Sequence, residues 1–115
     1  MDVTVSERGP VSVVSLRGTL AIGAADEKFR QKIRELLDGG HVRIVVDCSE
    51  LRTMDSTGLN AFLFALTESG KKGGAVTLLS PNERVLSVFK TTQLDDVFQV
   101  HATVDDAVAS LQPPS

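Results

Sequence analysis

The segment Val42 to Val46 constrains the fold of this chain more than any other, being apolar and β-branched throughout except for Arg43 and ending at Asp47. With apolar residues in successive positions it has no polar face to offer water, so it reads as a strand buried on both sides. Such strands belong to parallel sheets covered by helices. The flanking sequence supplies the helices. Before the strand, Ala25, Phe29, Ile33, Leu36 and Leu37 recur at helical spacing between Ala24 and Leu37, and Asp38-Gly39-Gly40 closes that helix. After it, a loop is expected from Cys48 to Met54. Leu59, Phe62, Leu63 and Leu66 then share one face of a second amphipathic helix that ends at Gly70.

The rest of the chain repeats this alternation. Val3 and Val5 alternate with polar neighbours, Arg8-Gly9-Pro10 makes a turn, and Val11 to Leu16 resumes as a strand, which predicts an opening hairpin. Lys71-Lys72-Gly73-Gly74 forms a turn before the apolar strand Ala75 to Leu79. Ser80-Pro81-Asn82-Glu83 has the pattern of a capping box with Ser80 as the cap and proline at the first helical position, opening a third helix with Val85, Leu86 and Phe89. A short last strand is expected from Val97 to Val100. Thr103-Val104-Asp105-Asp106 repeats the cap pattern ahead of a short helix carrying Val104, Ala107, Val108 and Leu111. The order β, β, α, β, α, β, α, β, α predicts a single α/β domain. Its mixed sheet would have four to five strands, with an N-terminal antiparallel hairpin and three to four helices. Residues 1–112 are expected to form the domain and 113–115 a short flexible tail.

Composition narrows the function. A chain of 115 residues with 42% hydrophobic and 23% charged residues is long enough for one core and too short for two domains. The net charge of −3, with no Lys or Arg cluster, argues against nucleic acid and against an anionic membrane surface, since both need a basic face. The single cysteine, Cys48, cannot form an internal disulfide and has no partners for a zinc site; it reads as a small buried residue. No charged leader or membrane-length apolar run is present, so a cytoplasmic location is expected. Gly39-Gly40 and Gly73-Gly74 lack the Gly-Lys-Ser/Thr that would make a phosphate loop, and neither cofactor nor metal nor small-molecule substrate is expected.

One segment carries chemistry: Asp47 to Leu59, which joins the carboxyl end of the central strand to a helix, the place where open α/β sheets put their sites. Asp55, Ser56 and Thr57 are all cap-forming residues, and Gly58 follows. One cap needs one such side chain, so either they share a structural role or one hydroxyl is free. A phosphate on that hydroxyl would face free amides and the positive end of a helix dipole, which makes a serine here a plausible phosphoacceptor. A serine hydrolase would need glycine two residues before the nucleophile, where Met54 stands, and a base from His41 or His101, neither of which has a motif around it. A phosphorylated receiver domain would need an acidic cluster after its first strand; from Val3 to Val14 only Glu7 is acidic.

Leu51-Arg52-Thr53-Met54-Asp55-Ser56-Thr57-Gly58-Leu59, after a hydrophobic strand ending in Asp47, resembles the signature of the STAS domains of bacterial anti-sigma factor antagonists. The resemblance extends to Arg17-Gly18-Thr19-Leu20 after the second strand, Gly73-Gly74 before Ala75 to Leu79, and Leu94-Asp95-Asp96-Val97-Phe98. It implies a non-enzymatic partner switch. Unphosphorylated, the protein would bind an anti-sigma factor that is itself a serine kinase and so free a sigma factor for transcription. Phosphate on Ser56 would release the kinase until a serine phosphatase removes it, and ATP would be bound by the kinase. Asp55, Thr57 and Gly58 would form the recognition loop around Ser56, Leu59 would anchor the helix, and Asn60, where small residues are common, would alter the contact of the first turn. Many such antagonists carry an acidic residue after Gly-x-Leu; here Leu20 is followed by Ala21-Ile22-Gly23. The alternative the resemblance leaves is a non-switching STAS module or scaffold subunit of a stress-signalling or lipid transport complex, with Ser56 as a cap or static contact.

Overall fold

The computed structural model describes residues 1–111. Residue 112 and the expected tail 113–115 lie outside the described residues. The hairpin forms as its alternation demands: β1 (Asp2–Arg8) pairs antiparallel with β2 (Val11–Leu20) around Gly9-Pro10, and Gly9 takes the positive φ of 62° that the tight turn requires. Then follow α1 (Ala24–Asp38), β3 (Arg43–Met54), α2 (Ser56–Lys71), β4 (Ala75–Leu79), α3 (Glu83–Thr91), β5 (Val100–His101) and α4 (Val104–Ser110). The five strands lie in the order β1-β2-β3-β4-β5, with every pair after the hairpin parallel.

Helices cover both faces, as the apolar β3 requires. Phe29 and Ile33 of α1, Phe62 of α2 and Phe89 of α3 pack on one face over Val14, Ile44 and Val46; Ala107, Val108 and Leu111 pack on the other over Val11, Val13 and Val45. Successive side chains of β3 thus enter different cores, which is why the run is continuously apolar. The first core centres on aromatic rings, with Phe62 edge-on to Phe29 at 5.4 Å and stacked on Phe89 at 5.9 Å between centroids. On α2 the fully buried face is Leu59, Ala61, Phe62, Ala65 and Ser69, with Leu63 and Leu66 only half-buried.

Three local expectations are corrected. Cys48 to Met54 is not a loop: β3 continues through it, and β2 continues through Arg17-Gly18-Thr19-Leu20 to pair with it. The register shifts between Ser15 and Arg17 and again between Gly18 and Thr19, and such bulges disturb the two-residue alternation. The buried residues of this stretch, Cys48, Leu51 and Met54, accordingly recur every third position and do not look like a strand. The last strand is Val100–His101, not Val97 to Val100, because Phe98 turns into the aromatic core, 5.4 Å from the Phe89 centroid, and only two residues remain to pair with Leu78 and Leu79. The third helix is not capped by Ser80. Asn82 is its N-cap, accepting from the Val85 N–H at 2.9 Å, while the Ser80 hydroxyl donates to the Ala102 carbonyl at 3.0 Å. The cap expected at Thr103 forms, with its hydroxyl accepting from the Asp106 N–H at 3.2 Å.

Candidate functional site

The end of β3 delivers the motif to the carboxyl edge of the sheet, where α2 starts. Asp55 is the N-cap: its backbone is extended, and its carboxylate accepts from the Gly58 N–H at 3.0 Å. Its second oxygen accepts from the Ile22 N–H at 3.2 Å, and its own N–H donates to the Leu20 carbonyl at 3.2 Å. One residue therefore closes the helix and ties it to the end of β2. These donors hold the Asp55 carboxyl below the usual carboxylate range, the Gly58 N–H chiefly, against partial desolvation, with the Ile22 and Thr57 N–H groups adding to it.

Gly58 is where α2 rests on β2. A Cβ there would lie 2.8 Å from the Leu20 carbonyl oxygen and 2.9 Å from the Met54 Cβ, so the close approach of the helix to the sheet requires glycine. Leu59, 4% exposed, goes into the core and fixes the first turn. With the cap taken by Asp55 and the packing by Gly58 and Leu59, Ser56 occupies the first helical position, exposed to solvent. Thr57 is half-buried and Asn60 exposed. Of the three cap-forming residues in the row, one caps, and Ser56 has a hydroxyl outside that hydrogen-bond set. The sequence-derived group Asp55, Ser56, Thr57, Gly58, Leu59 and Asn60 is thus brought together as one turn, divided between residues that build it and residues that face outward.

Two neighbours lie outside the expected site group. Ile22 belongs to this turn through its backbone bond to Asp55, although 34 positions separate it from Ser56 in sequence (56 − 22). Asn82 braces β3 from the other side, its amide donating to the carbonyls of Leu51 and Arg52 at 3.0 Å each. Polarity at a cap position was the one available clue to Asn82, and exposure of an isoleucine cannot be read from sequence.

Other candidates lie elsewhere. Cys48 is fully buried, and desolvation, reinforced by the adjacent Asp47, pushes its thiol up, away from the reactive thiolate form. His41 precedes β3 at the strand's amino end, 3.8 Å from Glu7, so the full length of β3 separates it from Ser56. His101 sits in β5, two strands from β3. Among the described residues no group of three or more His, Cys, Asp or Glu side chains could hold a metal ion, and no helix is long and apolar enough to cross a membrane.

A mixed sheet with an opening hairpin, helices on both faces and a capped serine turn at the end of its central strand defines a class, and comparison with known proteins identifies it. The STAS domain model matches residues 2–107, and the chain belongs to this family. A provisionally named anti-sigma factor antagonist of Thermotoga neapolitana is 32% identical over 78 residues, which cover 68% of this chain and 69% of the relative. The anti-sigma-B factor antagonist of Bacillus subtilis is 29% identical over 96 residues, 83% of this chain and 85% of the relative. Among solved structures, the Bacillus cell fate determinant SpoIIAA in its phosphorylated form superposes with a TM-score of 0.75 at 25% identity, covering 95% of this chain and 98% of that one. The similarity is to anti-sigma factor antagonists in sequence and in fold.

Proposed function

We propose that this protein is an anti-sigma factor antagonist whose partner is an anti-sigma factor with serine kinase activity, and that phosphorylation of Ser56 releases that partner. The observation that carries this is the division of labour in the α2 turn: Asp55 does the capping, so the Ser56 hydroxyl stands exposed at the first position of a 16-residue helix. A phosphate there brings about −1.5 to −2 charges and three acceptor oxygens. The helix terminus tolerates it, since anions at this end are stabilised by about 0.3 to 1 kcal/mol. A partner face packed on the turn does not, because the phosphate adds desolvation cost and sits beside the ionised Asp55. A penalty of roughly 3 kcal/mol weakens binding more than a hundredfold, enough to exchange partners without a rearrangement of the fold.

The occurrence of a phosphorylated form among structures of the same fold supports the assignment. Residues Asp55, Thr57, Gly58, Leu59 and Asn60 present the serine, while a serine phosphatase resets the switch and sigma-factor-dependent transcription is the output. The test is incubation with the anti-sigma serine kinases of the source organism and ATP, followed by mass spectrometry and binding measurements. Phosphate is expected on Ser56 alone, with Ser56→Ala binding constitutively and Ser56→Asp binding weakly. If no phosphate forms and both variants bind like wild type, the protein is a static scaffold.

A further inference from the structure

The carboxyl end of the sheet holds two features that a phosphoacceptor turn does not need. Ile22 is 79% exposed, the most exposed large apolar side chain among the described residues. Single exposed apolar residues are ordinary on protein surfaces. This one lies on a segment fixed by its N–H bond to Asp55, the residue before Ser56. On the other side, Arg52, four residues before Ser56, lines an open cavity of about 330 Å³ with Asn82, Glu83 and Arg84. Arg52 and Arg84 are both exposed, so two cations stand against one carboxylate in a chain whose net charge is −3. The Asn82 amide bonds fix this cationic flank to the end of β3. In strand order Ile22 follows β2, Ser56 follows β3 and Arg84 follows β4, so the serine lies between the apolar and the cationic element.

We infer that Ile22 and the Arg52–Arg84 pair form, on either side of Ser56, the docking surface for the anti-sigma factor, whose matching face presents an apolar socket bordered by carboxylates. The inference rests on the proposed role of Ser56 and adds the chemistry of the partner. Complementary charge steers the encounter, and burial of Ile22 holds the complex. The same partner carboxylates that attract Arg52 and Arg84 repel a phosphate on the neighbouring Ser56, so one feature of the partner serves both docking and release. The sequence Leu20-Ala21-Ile22 fits this chemistry, because it sets an apolar side chain at the edge of the turn and no acid that would ask for a basic partner.

The experiment measures association and dissociation of the purified anti-sigma serine kinases, one at a time, with wild type, Ile22→Ser and the double variant Arg52→Glu/Arg84→Glu. Both variants are first checked for unchanged thermal melting; serine keeps the backbone N–H that bonds Asp55. Ile22→Ser is expected to weaken binding at least tenfold, mostly through faster dissociation. The charge reversal is expected to slow association about tenfold at low salt and to flatten its salt dependence. Binding of Ile22→Ser within twofold of wild type, or an unchanged salt dependence in the double variant, overturns the docking surface while leaving the Ser56 switch standing. If no kinase retains or phosphorylates the wild-type chain, the proposed function falls and the docking surface with it.

Discussion

Two strand-to-helix junctions lie side by side at the carboxyl edge of the sheet, and each contains a serine. At the β3–α2 junction Asp55 caps the helix and Ser56 is left exposed. At the β4–α3 junction Asn82 caps, and Ser80 is consumed: its N–H donates to the His101 carbonyl at 2.8 Å, its hydroxyl donates to the Ala102 carbonyl, and its φ of 50° is the left-handed conformation that non-glycine residues rarely adopt. What separates a candidate site from a structural turn is whether other residues have already met the needs of the backbone. In the first junction they have, so the serine is spare; in the second the serine itself closes the connection to β5 and α4.

The largest effect expected at the first junction comes from Gly58→Ala. Alanine in a helix is favoured over glycine by about 1 kcal/mol. Here the new Cβ would meet the Leu20 carbonyl oxygen, the same atom that accepts from the Asp55 N–H, so it cannot move without losing that bond. Overpacking of this kind costs about 1 to 3 kcal/mol, and the lost bond about 1 more. A net destabilisation near 2 kcal/mol follows, read as a fall in Tm of about 4 °C per kcal/mol. A variant that melts at or above the wild-type temperature would show that α2 does not rest on β2 as described.

At the second junction, Asn82→Ala removes the α3 cap and both donors to the end of β3, for a loss of about 2 kcal/mol. Asn82→Asp separates the two functions, since it keeps the cap and loses only the donors. It should cost about half as much in chemical denaturation. Equal losses would mean that the cap contributes nothing, and an Asn82→Asp variant as stable as wild type would mean that the brace on β3 contributes nothing.

The chain's legibility follows the same division. Elements with an unbroken local pattern were readable: α1 and the strand Ala75 to Leu79 appear with bounds close to those the sequence implies, and the hairpin forms although β2 runs on to Leu20. The motif turn was readable because its residue types are chemically specific at fixed spacing. Elements shaped by partners distant in sequence were not. The second half of β3 is a strand because β2 pairs with it across a bulged register; Ser80 is diverted from capping by a segment more than twenty residues away; Phe98 leaves the last strand for the aromatic core. The same limit hid Ile22, whose place at the turn depends on one hydrogen bond between β2 and α2.

Acid should distinguish the two caps. The Asp55 carboxyl is held below its ordinary range in the folded state, so its contribution is fully present above the unfolded value near 4 and is lost as pH falls through the lower folded value. Asn82 does not titrate. Lowering the pH from 6 to 3 should therefore lower the protection factor at Gly58, taken against the intrinsic exchange rate at each pH, and leave that of Val85 unchanged until global unfolding. Simultaneous loss at both amides would mean that the α2 cap has no local titration of its own.

The smallest effect on stability, and the sharpest contrast, is expected from one substitution made at each serine. Ser80→Ala removes a hydroxyl that satisfies the Ala102 carbonyl and should cost about 1 kcal/mol. Ser56→Ala removes a hydroxyl from an exposed first-turn position whose cap lies elsewhere, and should change stability by less than about 0.5 kcal/mol. The order reverses for function, since Ser56→Ala abolishes the phosphorylation proposed above and Ser80→Ala leaves it intact. Matched denaturation curves and phosphorylation assays on the two variants decide it. If Ser56→Ala cost as much stability as Ser80→Ala, the α2 serine would be structural, and the exposed hydroxyl that carries the switch would lose its meaning.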